Sequence, residues 1–125
     1  MRGLVTIFGG SGFVGSQIVR ALARRGARIR VAVRRPWQAY RLRLLGDVGQ
    51  IEIVQANVRA PATIDAALDG AEGVVYAVGA LYESGKQGFA ALQAEGPGRV
   101  AEAAARIGIT RFVLLSAIGA DPGSE

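Results

Sequence analysis

The sequence predicts an α/β fold with a doubly wound parallel sheet of about five strands in the order 3-2-1-4-5. Five short runs rich in Val, Ile and Phe alternate with stretches of helical character. The connections between them are short, which favours parallel strands joined by right-handed crossovers. Four glycines lie within seven positions between the first apolar run and the first helical stretch. Together these observations predict a single sheet with helices on both faces.

The first strand, first helix and second strand are predicted from the apolar pattern. LVTIF (4–8) is a short β-rich run bounded by glycines, as expected of a buried strand. From Phe13 onward apolar residues fall four apart, which is typical of one stripe of an amphipathic helix, and Gly26 is placed to end that helix. RIRVAVRRP (28–36) alternates apolar and basic residues and closes with proline, which indicates a strand.

The remaining elements continue the alternation. Residues 37–45 are predicted to form a short helix. QIEIVQANV (50–58), GVVYAVG (73–79) and RFVLLSAIGA (111–120) are predicted as the third, fourth and fifth strands. PATIDAALDG (61–70) begins with proline and ends with glycine, the usual asymmetry of a helix. Residues 88–107 have a helical composition, with a kink or a fresh start predicted at Pro97.

Composition limits the classes of function. The chain has 125 residues, 50% of them apolar, and contains no cysteine and no histidine. It therefore forms no disulfide or thiolate metal site, and histidine is excluded as a zinc ligand or general base. No apolar run is long enough for a signal peptide or a bilayer span, so we expect a cytoplasmic protein. We find no repeat, low-complexity tract or linker, and we take residues 1–125 as one domain.

Charge is distributed unevenly along the chain. Residues 1–60 have a net charge of +9 and residues 61–125 a net charge of −4. A basic half can attract nucleic acid, anionic lipid or a phosphorylated ligand. Nucleic acid is the minor alternative, because aromatic residues are sparse and the arginines form no recognised binding module.

GGSGFVG (9–15) fits the dinucleotide-binding fingerprint G-x-G-x-x-G. It follows the first predicted strand and opens the first predicted helix, which is the context that the fingerprint requires. Gly12 would let the backbone approach a pyrophosphate, and Gly15 would let helix and strand pack closely. The N–H groups and partial positive charge of the helix N-terminus favour an anion. The alternative is a glycine-rich turn that binds no ligand.

The residues after the second strand bear on the choice of dinucleotide. An NAD site usually has Asp or Glu there to bind the ribose hydroxyls, whereas this chain has Arg34 and Arg35. A guanidinium can pair with a 2′-phosphate that a carboxylate would repel. NADP(H) is therefore favoured over NAD(H), which is the alternative if these arginines are only solvated loop charges.

Several segments resemble a known family: GGSGFVG, VAVRRP, IVQANVRAP, YAVG, ESGKQGF, QAEGPGRVAEAA and LLSAIGAD. Together they resemble the start of an atypical, extended short-chain dehydrogenase/reductase with a Rossmann fold. The branch is the one that contains the NAD(P)H-binding accessory subunit of respiratory complex I and its bacterial relatives. The resemblance covers nearly the whole chain, and it implies an NAD(P)-binding domain without the later strands and substrate region of that family.

The resemblance also implies a set of cofactor contacts at the carboxyl ends of the strands. The glycine turn would bind the pyrophosphate through backbone N–H groups, and Arg34 would hold the 2′-phosphate. Asn57 and Val58 would flank adenine, and residues 77–79 would line the nicotinamide ribose. The implied cofactor-binding residues are Gly9, Ser11, Gly12, Phe13, Val14, Gly15, Arg34, Arg35, Asn57, Val58, Ala77, Val78 and Gly79.

For catalysis, the resemblance implies Ser116 as the hydroxyl that steadies a substrate carbonyl. The family's Tyr-x-x-x-Lys pair, expected beyond that serine, is absent from this chain. Tyr82 and Lys86 have the right spacing but follow the fourth strand instead. We therefore expect a binding module without a complete catalytic set. The alternative is the N-terminal part of an NADP-dependent reductase or of an enzyme similar to nucleotide-sugar epimerases.

The sequence also leads us to expect a surface for self-association and a cellular location. The fifth strand is expected to be an unprotected edge, through which the chain would self-associate or bind a partner chain. The predicted helix over 88–107 is a second candidate surface for self-association. The expected location is the cytoplasm, with the periphery of the inner membrane as the alternative.

Overall fold

A computed structural model describes residues 3–9, 13–77 and 96–114 of the chain. Within these ranges five parallel strands form one sheet in the order β3-β2-β1-β4-β5, which confirms the predicted order. The strands are β1 (Leu4–Phe8), β2 (Arg28–Val33), β3 (Ile51–Gln55), β4 (Ala71–Tyr76) and β5 (Arg111–Leu114). The helices are α1 (Phe13–Arg24), α2 (Pro61–Leu68) and α3 (Gly96–Arg106).

The central position of β1 explains why LVTIF is apolar or small throughout. Every residue of β1 is buried, and Ile7 lies beside Val31 of β2 on one side and Val75 of β4 on the other. A strand in the middle of a parallel sheet is covered on both faces, so its two alternating rows of side chains both need apolar character. Thr6 is the one buried polar residue of the described chain.

Two apolar clusters cover the two faces of the sheet. On the α1 face, Val19 of α1 packs with Ile7, Ile29 and their neighbours. On the α2/α3 face, Leu68 of α2 and Val100 of α3 pack in one cluster with Phe8 and further strand residues. Helices on both faces of a parallel sheet are the doubly wound arrangement that the sequence predicts.

The predicted helix over 37–45 differs from the structure, which has two 3₁₀ helices there, Pro36–Gln38 and Tyr40–Leu45. The physical reason is the spacing of the inward-facing side chains. Ala39 and Leu42 are buried in the cluster on the α1 face, and Leu45 packs against it. A spacing of three matches the three residues per turn of a 3₁₀ helix.

Other boundaries shift by a few residues. β4 begins at Ala71, two residues before the predicted start, because Ala71 pairs with Leu4 of β1. α3 begins at Gly96, next to the fresh start predicted at Pro97, while residues 88–95 lie outside the described ranges. None of the helices in the described ranges is long and apolar enough to cross a lipid bilayer.

Candidate functional site

The carboxyl ends of β1, β2 and β4 meet at one edge of the sheet, which we call the carboxyl edge. The N–H group of Gly9 donates a 3.1 Å hydrogen bond to the carbonyl oxygen of Ala32, and the N–H group of Ala77 donates a 2.8 Å bond to that of Phe8. The first residue after each strand is thereby fixed beside the neighbouring strand. Gly9 and Ala77, which the resemblance implies as cofactor contacts, therefore lie at the same edge.

The turn from β1 into α1 brings a helix N-terminus to the carboxyl edge. Gly9 has a φ of 85°, a left-handed conformation that glycine adopts without steric cost. α1 begins four residues later at Phe13, and Gly15 is buried in its first turn. The N–H groups in the first turn of a helix have no partner within the helix, and an end of this kind favours an anionic ligand.

Several predicted site residues lie outside the described ranges. They are Ser11, Gly12, Val78, Gly79 and the candidate catalytic residue Ser116, together with Tyr82 and Lys86.

Arg34 and Arg35 follow β2 directly and are both exposed. Their backbone is held in place, because Gln55 Nε2 donates a 3.5 Å bond to the carbonyl oxygen of Arg34 and the N–H group of Gln38 donates a 3.0 Å bond to that of Arg35. Neither guanidinium forms an ion pair with another described residue. The two cations are thus available at the carboxyl edge.

The loop after β3 is pinned by hydrogen bonds around Asn57. Its N–H group donates a 2.9 Å bond to Oγ1 of Thr63, and that hydroxyl in turn donates to the carbonyl oxygen of Ala60 at 2.7 Å. Asn57 Oδ1 accepts a 2.9 Å bond from the N–H group of Arg59, which closes an Asx turn. One lone pair of this oxygen is used within the loop, whereas no described residue accepts a bond from the side-chain NH₂ group, which can be offered to a ligand.

Arg99 is a residue near this edge that the sequence patterns missed. From the first turn of α3 its Nη1 donates a 3.1 Å hydrogen bond to the carbonyl oxygen of Val58, 41 residues away in the chain. No local spacing links two residues so far apart, and only the fold reveals the contact. Arg99 ties α3 to the loop that is implied to flank adenine.

The charged side chains described at the carboxyl edge are basic. The basic residues that follow β2 and β3 or contact the loop after β3 are Arg34, Arg35, Arg59 and Arg99, all exposed. In the described chain no acidic residue directly follows β1, β2, β3 or β4. The field at this edge therefore favours an anion over a cation.

An aromatic pair on the α2/α3 face lies at the ends of β1 and β4. The rings of Phe8 and Tyr76 stack with their centroids 6.1 Å apart and their planes inclined by 26°. Tyr76 is only 1% exposed, and its hydroxyl has no hydrogen-bond partner among the described residues. Burial raises the pKa of Tyr76 to about 12. The phenol therefore stays neutral at physiological pH and serves as packing.

A groove of about 540 Å³ lies at the opposite edge, where β4 and β5 begin. Its lining residues are Asp65, Leu68, Asp69, Gly70, Ala71, Arg106, Ile107 and Ile109. The groove is open to solvent, and two of its three charged residues, Asp65 and Arg106, form an exposed ion pair at 3.5 Å. Parallel α/β sheets bind ligands outside the carboxyl ends of their strands, so we take the carboxyl edge as the candidate site.

Residues 9–125 match the model of a family described as NAD(P)H-binding. The chain is 31% identical over 120 residues to the mitochondrial NADH-ubiquinone oxidoreductase 40 kDa subunit of Neurospora crassa, covering 96% of this chain and 32% of that protein. It is 36% identical over 120 residues to the ceramide reductase of Caulobacter vibrioides, covering 95% of this chain and 36% of that protein. The chain thus spans about a third of the length of these curated relatives.

A solved structure has the same fold. It is named as a candidate NAD-dependent epimerase/dehydratase from Bacillus halodurans, and it superposes with a TM-score of 0.77 at 25% identity, covering 90% of this chain and 50% of that one. Both the complex I likeness and the short-chain dehydrogenase/reductase likeness expected from the sequence are confirmed by these similarities.

Proposed function

Because the chain belongs to the NAD(P)H-binding family, we propose that its carboxyl edge holds a nicotinamide dinucleotide, with NADPH preferred over NADH. The observation that carries this preference is Arg34, an exposed arginine without an ion-pair partner among the described residues, placed directly after β2. A carboxylate at that place would bind the ribose hydroxyls of NAD and repel a 2′-phosphate. The guanidinium does the reverse, since it pairs with phosphate through two parallel N–H groups.

The proposed pose follows the order of the strands. The pyrophosphate lies against the turn of residues 9–15 and the first N–H groups of α1, where the helix dipole favours negative charge. Arg34 holds the 2′-phosphate with Arg35 nearby, and Asn57 and Val58 flank the adenine. The nicotinamide ribose lies along residues 77–79. Arg99 supports this pose indirectly, because it fixes the backbone of Val58.

Calorimetric titration of Arg34→Asp with NADPH and NADH tests the preference. We expect NADPH affinity to fall roughly 10- to 100-fold, which is the loss of a charge-assisted pair, and NADH affinity to stay within about twofold. Arg111→Asp is the matched control, because it makes the same change of charge at an exposed residue where β5 begins. Equal losses for both nucleotides would contradict the preference, and no binding of either would contradict the site.

We further propose that this NAD(P)-binding domain acts as a binding module with a structural or redox-sensing role. The alternative is the N-terminal part of an NADP-dependent reductase or epimerase-like enzyme, favoured by the relative named as a ceramide reductase. Incubating the chain with NADPH and a panel of aldehydes and ketones tests whether the chain itself is catalytically inactive, as a binding module should be. A binding module should oxidise no NADPH beyond the rate without protein, and turnover would favour the enzyme. A reading frame that continues past Glu125 into a Tyr-x-x-x-Lys segment would also favour the enzyme.

The exposed edge of β5 is the proposed site for a partner. Within the described ranges β5 pairs only with β4, and its side chains Val113 and Leu114 are 50% and 44% exposed. An unpaired edge with apolar side chains readily adds another strand. We expect analytical ultracentrifugation to show self-association at high micromolar concentration. Val113→Lys should weaken this self-association. A monomer under these conditions would contradict the proposed partner site. The proposed location is the cytoplasm, with the periphery of the inner membrane as the alternative.

A further inference from the structure

The connection between β2 and β3 presents two rows of side chains to solvent. In a 3₁₀ helix, residues three apart lie above one another, so the segment 37–45 has three rows. One row, with Ala39 and Leu42, is buried against the sheet on the α1 face. The two outward rows are Trp37, Tyr40 and Arg43 in the first, and Gln38, Arg41 and Leu44 in the second.

Contacts within each row confirm this arrangement. The guanidinium of Arg43 lies over the ring of Tyr40, with its central carbon 4.9 Å from the ring centroid. Arg41 Nη1 donates a 2.6 Å hydrogen bond to the carbonyl oxygen of Gln38. Each outward row therefore carries one arginine that folds back along its own row.

These rows expose an unusual amount of apolar surface. Trp37 is 66% exposed, Tyr40 47% and Leu44 87%. Large apolar side chains exposed together, beside basic residues, indicate an interaction surface, whereas isolated ones do not. We call Trp37, Tyr40, Arg41, Arg43 and Leu44 the 3₁₀ surface. It belongs to the α1 face and is distinct in sequence from the arginines that the dinucleotide site uses.

The charge of this segment is strongly positive. Residues 34–48 contain four arginines and one acidic residue, Asp47. Arginines near a bilayer are attracted to anionic headgroups, while tryptophan and tyrosine prefer the headgroup level of the interface. An exposed leucine beside them can enter the acyl boundary. The 3₁₀ surface combines all three kinds of side chain.

We propose that the 3₁₀ surface docks the protein on an anionic phospholipid bilayer. Two observations favour lipid over nucleic acid. First, Leu44 is the most exposed member of the surface, and its apolar side chain makes no favourable contact with a phosphate backbone. Second, Arg43 covers one face of the Tyr40 ring, so that face is closed to a stacking base. The charge complementarity with anionic headgroups supplies the attraction, and Trp37 and Leu44 supply the insertion.

Trp37 is the only tryptophan in the sequence, so the protein's own emission reports on this surface. The probe is unilamellar vesicles of phosphatidylcholine with an equal share of phosphatidylglycerol, compared with phosphatidylcholine alone. We expect a blue shift of the Trp37 emission and co-sedimentation with the anionic vesicles only. Added salt should reverse both, because the attraction is screened.

Variants separate the surface from the general charge of the chain. Arg41→Gln with Arg43→Gln should weaken the partition onto anionic vesicles roughly 30-fold, about fivefold for each arginine. The double variant Arg106→Gln with Arg111→Gln removes two exposed arginines elsewhere on the chain. It should change the logarithm of the partition coefficient by less than about half as much as the first pair does. Leu44→Gln keeps all charges and the reporter, and it should reduce both binding and the blue shift. Circular dichroism verifies that each variant is folded.

Four results would overturn the proposal. One is the absence of a blue shift with anionic vesicles, and another is equal weakening by the two arginine pairs. A third is duplex DNA that shifts the Trp37 emission and displaces the vesicles, which would assign the surface to nucleic acid. The last is a blue shift that develops with protein concentration in the absence of vesicles, which would assign the 3₁₀ surface to contact with a second copy of the chain. None of these results depends on nucleotide binding.

Discussion

Arg30 on β2 caps the last turn of α2, where its Nη1 donates a 2.9 Å hydrogen bond to the carbonyl oxygen of Ala67. The same nitrogen donates a 2.7 Å bond to the carbonyl oxygen of Asp69, and Thr6 Oγ1 on β1 donates a 2.7 Å bond to that of Ala67. Carbonyl groups in the last turn of a helix have no partner within the helix. Two strands of the sheet therefore satisfy the C-terminus of α2 and fix that helix on the sheet.

We expect Arg30→Met to lower the free energy of unfolding by about 2–3 kcal/mol, because it removes charged hydrogen bonds at a mostly buried site and leaves Glu52 without its 3.1 Å partner. Thr6→Val should cost about 1 kcal/mol, since Arg30 still satisfies the carbonyl group of Ala67. Urea unfolding followed by circular dichroism measures both. The control is Arg106→Met, which breaks only an exposed pair and should cost under about 1 kcal/mol. If Arg30→Met lowers the free energy of unfolding by no more than Arg106→Met does, the capping role is contradicted.

Gln50 joins the end of α1 to the start of β3. Its Nε2 donates bonds of 2.9 and 2.8 Å to the carbonyl oxygens of Ala23 and Ala27, and its Oε1 accepts a 2.9 Å bond from the N–H group of Asp47. Gln50→Glu replaces both donors by a carboxylate oxygen that faces two carbonyl groups. We expect it to lower the free energy of unfolding by about 2 kcal/mol or more at neutral pH, measured by urea unfolding.

The pH dependence of Gln50→Glu sharpens that test. As the pH falls from about 6 to about 4, the introduced carboxyl group takes up a proton in the folded chain before it does so in the unfolded chain. It thereby regains one donor, so the deficit relative to the unmodified protein should shrink. Gln17→Glu is the control, because Gln17 is exposed on α1 and should show little loss at either pH. A deficit that does not change with pH would mean that the two carbonyl contacts are not the cause.

The buried hydroxyl of Tyr76 predicts a loss of stability at alkaline pH. The pKa of Tyr76 is raised from 10.0 to about 12 because burial disfavours the phenolate. Between these values the unfolded chain releases the proton while the folded chain retains it, so stability falls as the pH rises. The full effect is about 2–3 kcal/mol by pH 12.

Tyr76→Phe should remove this alkaline loss and leave stability at neutral pH unchanged or about 1 kcal/mol higher, because the buried hydroxyl has no hydrogen-bond partner among residues 3–9, 13–77 and 96–114. Tyr40→Phe is the control, since Tyr40 is 47% exposed and should leave the alkaline loss in place. Urea midpoints measured just below pH 10 and near pH 12 decide the matter. The same alkaline loss in Tyr76→Phe would assign it to another group.

Much of the fold could be predicted because apolar runs and glycines are local signals. The strand order followed from the alternation of elements, and β1 is where LVTIF predicts it. The 3₁₀ helices over 36–45 could not be distinguished from an α-helix, since the nine residues of the predicted helix over 37–45 fit either spacing. The early start of β4 was missed because Ala71 and Glu72 carry no strand pattern, and only pairing with β1 extends the strand.

The positions of the candidate site residues could be predicted where topology alone decides them. Gly9, Arg34, Asn57 and Ala77 each follow a strand, and parallel strands bring their carboxyl ends to one edge whatever the packing. The contact of Arg99 with Val58 depends on how α3 is placed, which no spacing encodes. The Asx turn that uses Asn57 Oδ1 is a local feature and could have been expected from Asn two residues before Arg59.

Gly9 offers the sharpest test of the glycine turn, because Gly26 is a matched control. Both have a φ of 85°, and a Cβ atom at Gly26 would meet no atom within 4 Å. Alanine at either position should cost about 1 kcal/mol of stability, since the left-handed conformation strains any residue with a side chain. Only Gly9→Ala should also weaken NADPH binding in calorimetry, because relaxing its turn displaces the N–H groups proposed to bind the pyrophosphate. Equal affinities for the two variants, with both folded by circular dichroism, would show that the turn shapes the fold without holding the ligand.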